Sequence, residues 1–137
     1  MSDKEEELDL ALALGAQESY STKKLTLYIP DKDRDGAEFG TQRRYILEAA
    51  QLLARIGGGV SIMPAIEGGW LNPETNQIIW ERPVVVYTFV RPAEFVALLP
   101  ELRRFLHRLG RETRQGEIAA EFDGTFYRIV QYDQEPA

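Results

Sequence analysis

Residues 67–90, EGGWLNPETNQIIWERPVVVYTFV, decide how this chain folds. The run from Asn72 to Asn76, with proline second and asparagine at both ends, is turn chemistry between two β-prone segments. QIIWERPVVVYTFV is rich in β-branched and aromatic residues and predicts a long strand kinked at Pro83, which has no N–H to give a ladder. Its predicted partner is GVSIMPAIEGGWL, interrupted by Pro64 and by Gly68-Gly69, where a bulge or bend belongs. The centre of the chain is therefore a long hairpin, with one strand and one helix before it and one helix and two strands after it.

Upstream, KLTLYI (Lys24 to Ile29) alternates polar and apolar residues with period two, and Pro30 ends it. The segment TQRRYILEAAQLLARIGGG carries Ile46, Ala49, Ala50, Leu53 and Ile56 at helical spacing and predicts a helix over roughly residues 38–56, stopped by three glycines. Downstream, RPAEFVALLPELRRFLHRLG puts Phe95, Leu98, Leu99, Leu102, Phe105, Leu106 and Leu109 on one face, with Pro100 as its start or a kink and Gly110 as its C-cap. GEIAAEF and TFYRIV flank Asp123-Gly124, a tight-turn dipeptide.

The resulting order is β-α-β-β-α-β with an extra C-terminal strand, an α+β chain of the ferredoxin-like type. Two helices are expected on one face of an antiparallel sheet. The other face would carry Tyr87, Phe89, Phe126 and Tyr132, which suits burial against a second copy, so a homo-oligomer through the open sheet face is expected.

Composition bounds the function. A chain of 137 residues with 44% apolar content makes one core. No apolar run is long enough to span a membrane, and the start is acidic where a secretory signal is basic, so no membrane association and a cytoplasmic location are expected. With no cysteine and a single histidine, His107, the chain has no thiolate chemistry and no multi-histidine metal set of its own.

The net charge of -6 is concentrated at the ends. Residues 1–22 carry Asp3, Glu5, Glu6, Glu7, Asp9 and Glu18 against Lys4 and are expected to form a mobile tail with one short helix in LDLALALG. Residues 133–137 form a second short acidic tail, which leaves a nearly neutral domain over 23–132. A neutral body lacks the broad basic face of a nucleic-acid binder, so nucleic acid is not an expected partner.

Three stretches are candidates for chemistry. Asp31, Asp33 and Asp35, followed by Gly36, have the spelling of a calcium-loop start, but Gln42 stands where a bidentate glutamate closes such a loop and a strand enters it. The ordinary alternative is an acidic turn complementing the positive end of the following helix. In the hairpin, Glu67, Trp70, Trp80, Glu81 and Arg82 form a candidate partner-binding surface. Trp70 and Trp80 are expected to pack across the strand pair, and Glu67 and Glu81 are the candidate carboxylate bases. After the second helix, Arg108, Arg111 and Arg114 with Gly116 form a candidate anion site, and the alternative there is a solvated helix face.

With GGVSIMPAIEGGW, VVVYTFV and GRETRQGEIAAEF in this order, the chain resembles the PII-like and CutA-like proteins. That resemblance implies a ferredoxin-like core, usually trimeric, with a small effector such as an adenine nucleotide bound at subunit clefts. It also implies partner contacts through residues 67–82 and phosphate contacts through Arg111, Arg114 and Gly116. Together with the scarcity of nucleophiles and bases, it favours a non-enzymatic regulatory or adaptor protein without a cofactor. The alternative is a small cofactor-free enzyme of the dimeric α+β barrel type, with Glu67 or Glu81 as base in the cleft between sheet and helices.

Overall fold

The computed structural model describes residues 8–17 and 23–134. The expectations for residues 1–7, 18–22 and 135–137 lie outside the described residues. A short helix α1 (Leu10–Leu14) is capped by the Asp9 side chain, which accepts from the Leu12 N–H at 3.1 Å, and is ended by left-handed Gly15.

The domain runs β1 (Lys24–Ile29), α2 (Gln42–Gly57), β2 (Ser61–Ile62), β3 (Gly68–Asn72), β4 (Gln77–Glu81), β5 (Val84–Phe89), α3 (Pro92–Glu112), β6 (Ile118–Phe122) and β7 (Thr125–Ile129). Five strands form one sheet in the order β2-β5-β1-β6-β7, every neighbouring pair antiparallel. This is the ferredoxin-like arrangement with β7 added at one edge, as the order of elements predicts. β3 and β4 stand apart as a two-stranded sheet.

Period-two alternation decides the faces. Leu25, Leu27 and Ile29 of β1, Val84 and Val86 of β5, and Ile118 and Ala120 of β6 point to α2 and α3 and are buried. The helices answer with Ile46, Ala49, Leu53 and Ile56 of α2 and Leu102, Phe105, Leu106 and Leu109 of α3. α2 closes on the sheet through Gly57, where a Cβ would stand 1.9 Å from Thr88 Oγ1. Across the sheet, the registers Lys24↔Phe89, Thr26↔Tyr87 and Tyr28↔Val85 put Tyr87 and Phe89 on the face without helices, as expected. Phe126, paired with Glu121, joins them.

Several expectations need correction. The long strand of residues 77–90 is two strands, because the chain leaves one sheet for another at Arg82-Pro83. The long hairpin therefore becomes a small β3-β4 hairpin folded over the main sheet, and the true central partner of β5 is β1. α2 begins at Gln42, after a longer turn than the spacing predicts. α3 begins at Pro92 and runs unbroken through Pro100. Pro100 lies on the exposed face above exposed Val96, so the carbonyl its missing N–H frees is on the side of the helix that faces water. Tyr132 is on the helix side: its ring covers Gly110, and its hydroxyl donates to the Gln115 carbonyl at 2.9 Å.

Candidate functional site

The face of the sheet opposite the helices is partly roofed by the β3-β4 hairpin. Between them is a cleft of about 670 Å³. Its floor is Tyr28 of β1, Ala119 of β6 and Phe126 of β7, its roof is Trp70 and Glu81 of the hairpin, and Glu117, Asp33 and Arg34 stand at its rim. The register that places Gly68 opposite Glu81 and Trp70 opposite Ile79 turns Trp70, Ile79 and Glu81 to the same face of the hairpin. Trp80 lies on the other face with Leu71 and Ile78, over Gly69, where a Cβ would meet the Trp80 ring at 3.1 Å. The expected packing of Trp70 on Trp80 is thus corrected: an odd and an even offset from the turn send the two rings to opposite faces.

A two-stranded sheet does not hold itself in place. The turn that spells DKDRDG is what fastens it. Asp31 Oδ1 accepts from the Arg82 N–H at 2.9 Å, and Lys32 Nζ donates to the Trp80 carbonyl at 2.9 Å. Gln42 Nε2 donates both to the Ile29 carbonyl at 3.1 Å and to the Arg82 carbonyl at 3.0 Å. The residue that spoils the calcium-loop spelling therefore has a physical reason: an amide can donate to two carbonyls, and a glutamate cannot. Asp33 Oδ1 accepts from the Asp35 and Ala37 N–H groups at 2.8 and 3.0 Å, and these bonds hold its carboxyl below the usual range. Asp35 meets Arg114 at 3.4 Å. The three aspartates thus have separate tasks, and among the described residues no group of three acidic or histidine side chains could hold a metal ion. The turn is in turn fixed to the end of α3 by Gln115, whose Nε2 donates to the Lys32 carbonyl at 2.8 Å.

Glu81 is a titratable group altered by this construction. Burial under the hairpin raises its carboxyl above the ordinary range, the neighbouring Asp31 carboxylate raises it further, and Lys32 opposes both. On the floor, Tyr28 donates its hydroxyl to Glu121 Oε1 at 2.5 Å. Desolvation, then that bond and the Glu121 charge, push Tyr28 up to about 12, so it remains a neutral phenol in the physiological range. The cleft combines a desolvated carboxylate with three aromatic faces, which suits a flat, positively charged small molecule.

Glu67 lines a smaller cavity on the other side of Glu81, with Lys32, Trp80 and Arg82. The hairpin candidates are therefore brought together around Glu81, although Trp70 and Trp80 look to different cavities. The arginine candidates are not. Arg108 is paired with Glu48 at 2.5 Å and with Glu112 at 3.3 Å between the helices. Arg111 donates to the Asp133 carbonyl at 2.6 Å, and Arg114 turns to Asp35. Gly116 lines the main cleft, away from Arg108 and Arg111. Asp133 is held by Arg103 through bonds of 2.7 and 3.0 Å and donates its N–H to His107 Nδ1 at 2.8 Å.

Tyr28, Glu117 and Phe126 were not among the sequence candidates for a site. Tyr28 carried a usable signal, because it is the one large side chain at the open-face positions of a strand that reads Lys24, Thr26, Tyr28. Glu117 had none, since its place in the cleft depends on the crossing of the hairpin over β6.

Comparison with family models and with curated protein sequences gives no match. Solved structures resemble this one, among them two of a phage SAM lyase. A phage SAM lyase in complex with S-methyl-5'-thioadenosine superposes with a TM-score of 0.59 at 13% identity, covering 84% of this chain and 94% of that chain. A phage SAM lyase in the apo state superposes with a TM-score of 0.53 at 14% identity, covering 87% and 98%. At these identities the likeness is one of fold. The expectation of a non-enzymatic, PII-like regulatory or adaptor protein is contradicted by this likeness, since both of these structures, matched over 94% and 98% of their length, are of an enzyme.

Proposed function

We propose that this chain is a small enzyme that cleaves an adenosyl sulfonium compound in the cleft between the sheet and the β3-β4 hairpin, with Glu81 as the proton acceptor. The observation that carries this is the convergence on one cleft of a partly buried Glu81, its carboxyl raised by desolvation, with the exposed rings of Trp70 and Phe126 and with Tyr28. The shared fold of the phage SAM lyases supports the choice of substrate. The working cleft differs from the sequence-derived alternative in lying on the face opposite the helices.

The chemistry follows from charge. In an elimination, the Glu81 carboxylate takes a proton from the carbon beside the C–S carbon, and the C–H electron pair becomes a carbon–carbon double bond. The C–S pair goes to sulfur, which loses its positive charge. The products are a neutral thioether nucleoside, an unsaturated chain and a protonated Glu81. Trp70 and Phe126 offer faces on which a purine stacks, worth roughly 1–3 kcal/mol per stacked base. A carboxylate whose affinity for protons is raised is the stronger general base while it remains ionised.

We also propose that copies associate through the same open side and that the protein works in the cytoplasm. Met63, Phe89, Leu71, Ile78 and Trp80 all expose apolar surface there or on the outer side of the hairpin, which favours a second copy as occupant. No described helix is long and apolar enough to cross a membrane.

The function is tested by incubating the purified protein with S-adenosylmethionine and separating the nucleosides by chromatography. Accumulation of S-methyl-5'-thioadenosine, dependent on enzyme concentration, is expected. An unchanged substrate, together with no calorimetric binding of S-methyl-5'-thioadenosine, would reject the proposal.

A further inference from the structure

The five-stranded sheet ends differently at its two edges. β2 has two residues and lies between Gly59 and Pro64, so that edge offers little backbone to a further strand. β7 has five residues, TFYRI, with no proline and no lysine, and among the described residues β6 is its one neighbour. The turn before it fixes which backbone groups are spent. Asp123 and Gly124 both have positive φ, 50° and 83°, in a two-residue turn that makes Phe122↔Thr125 a hydrogen-bonded pair. The alternation then spends the N–H and C=O of Thr125, Tyr127 and Ile129 on β6, and aims those of Phe126 and Arg128 away from the sheet. Among the described residues nothing bonds to them. The Phe126 and Tyr127 rings are exposed, and Arg128 meets Glu117 at 3.8 Å while remaining exposed.

We propose that β7 pairs with β7 of a second copy, antiparallel about a two-fold axis at Tyr127, so that two sheets become one and each cleft borders on the partner's Arg128. Charge and length decide the register. With the axis at Tyr127, Phe126 faces the partner's Arg128, and the outward N–H and C=O groups of both are satisfied. A guanidinium then stands beside each Phe126 ring, and Thr125 faces Ile129 of the partner subunit. The whole pairing stays within Thr125–Ile129. An axis at Arg128 would set two guanidinium groups opposite each other, and an axis at Phe126 would run the pairing into the Asp123-Gly124 turn. Phe126 and Arg128 are on the open face, and Tyr127, paired with Ala120, is on the helix side. The open faces of the two copies therefore lie on one side of a continuous sheet. Because Phe126 lines the main cleft, the partner's Arg128 reaches its border. This edge is separate from the apolar surface of the open side, and the pairing does not depend on what the cleft binds.

The chain has no cysteine, so one substitution introduces one thiol. In this register Tyr127 faces Tyr127 of the partner subunit as a non-hydrogen-bonded pair, with Cα atoms about 4.5 Å apart, within reach of a disulfide. Thr125 lies about 13 Å from its own copy, the rise of four residues along the strand. Under mild oxidation of the full chain, Tyr127→Cys should give at least about tenfold more linked dimer than Thr125→Cys. Light scattering follows the mass, which in the parent should reach twice 15.6 kDa or a multiple of that. Tyr127→Lys sets two ammonium groups at the axis, and Arg128→Pro removes an outward N–H while sparing the bonds to β6. Each should weaken association about tenfold or more. Circular dichroism checks that both are folded, and the two thiol variants decide alone if either is not. Equal linking at 125 and 127, or none at either, would overturn the β7 pairing even where the mass remains a multiple of one chain through the open side. Unchanged association in both folded variants would overturn it as well. A parent mass of one chain at all concentrations would overturn both contacts.

Discussion

The proposed chemistry of this chain concentrates on Glu81, whose environment makes a prediction in two directions. Its carboxyl is raised in the folded state, so its contribution to stability is fully present below the usual carboxylate pKa and is lost as pH rises through the raised value. At neutral pH the ionised, partly buried Glu81 therefore works against folding. Glu81→Gln should leave Tm unchanged or higher by about a degree or two at pH 7.5, while lowering kcat by about a hundredfold or more. In the parent, kcat/KM should rise with pH through an apparent pKa above the ordinary carboxylate range, and a pH-rate profile checks this. Trp70→Ala should weaken S-methyl-5'-thioadenosine roughly tenfold by calorimetry, as loss of one stacking face does. Calcium is expected to bind no tighter than millimolar in a titration, because Asp31, Asp33 and Asp35 are each engaged with different protein groups.

Among the elements, the sequence was most legible where one periodicity ran uninterrupted. The alternation in Lys24 to Ile29 and the apolar stripe of the second long helix identified β1 and α3 because each buries one face against the same core. Residues 77–90 misled because both halves are β-prone, and nothing local says that Arg82-Pro83 sends them to different sheets. The cleft is formed by that divergence, so Glu81 and Trp70 could be named as unusual, while Tyr28 and Glu117 could not be assigned to them. The connection of hairpin to domain rests on the turn at 31–36 and on Gln42. Gln42→Glu removes both donated bonds and sets a carboxylate against the Ile29 and Arg82 carbonyls, which should cost about 1–3 kcal/mol. Hydrogen exchange would locate the effect: residues 68–81 should lose protection before the five-stranded sheet does. Gly57→Ala should cost at least as much, about 1–3 kcal/mol in denaturant unfolding, since its Cβ displaces the Thr88 hydroxyl from the Gly59 carbonyl, where it donates at 2.5 Å.

For the whole molecule, a helix-covered face makes the core and an open face makes the site, and the hairpin converts that open face into a cleft. The same side exposes Phe89 and Met63, and the outer surface of the hairpin exposes Trp80, Ile78 and Leu71. Light scattering should therefore give a mass that is a multiple of 15.6 kDa, and a mass of one chain at all concentrations would contradict self-association. The decisive measurement is the rate at which S-methyl-5'-thioadenosine forms from S-adenosylmethionine with the parent protein and with Glu81→Gln, both checked to be folded. Turnover by the parent that falls about a hundredfold or more in the variant is the expected result. Equal rates in the two, or no product from either, would contradict a lyase-like enzyme working through Glu81.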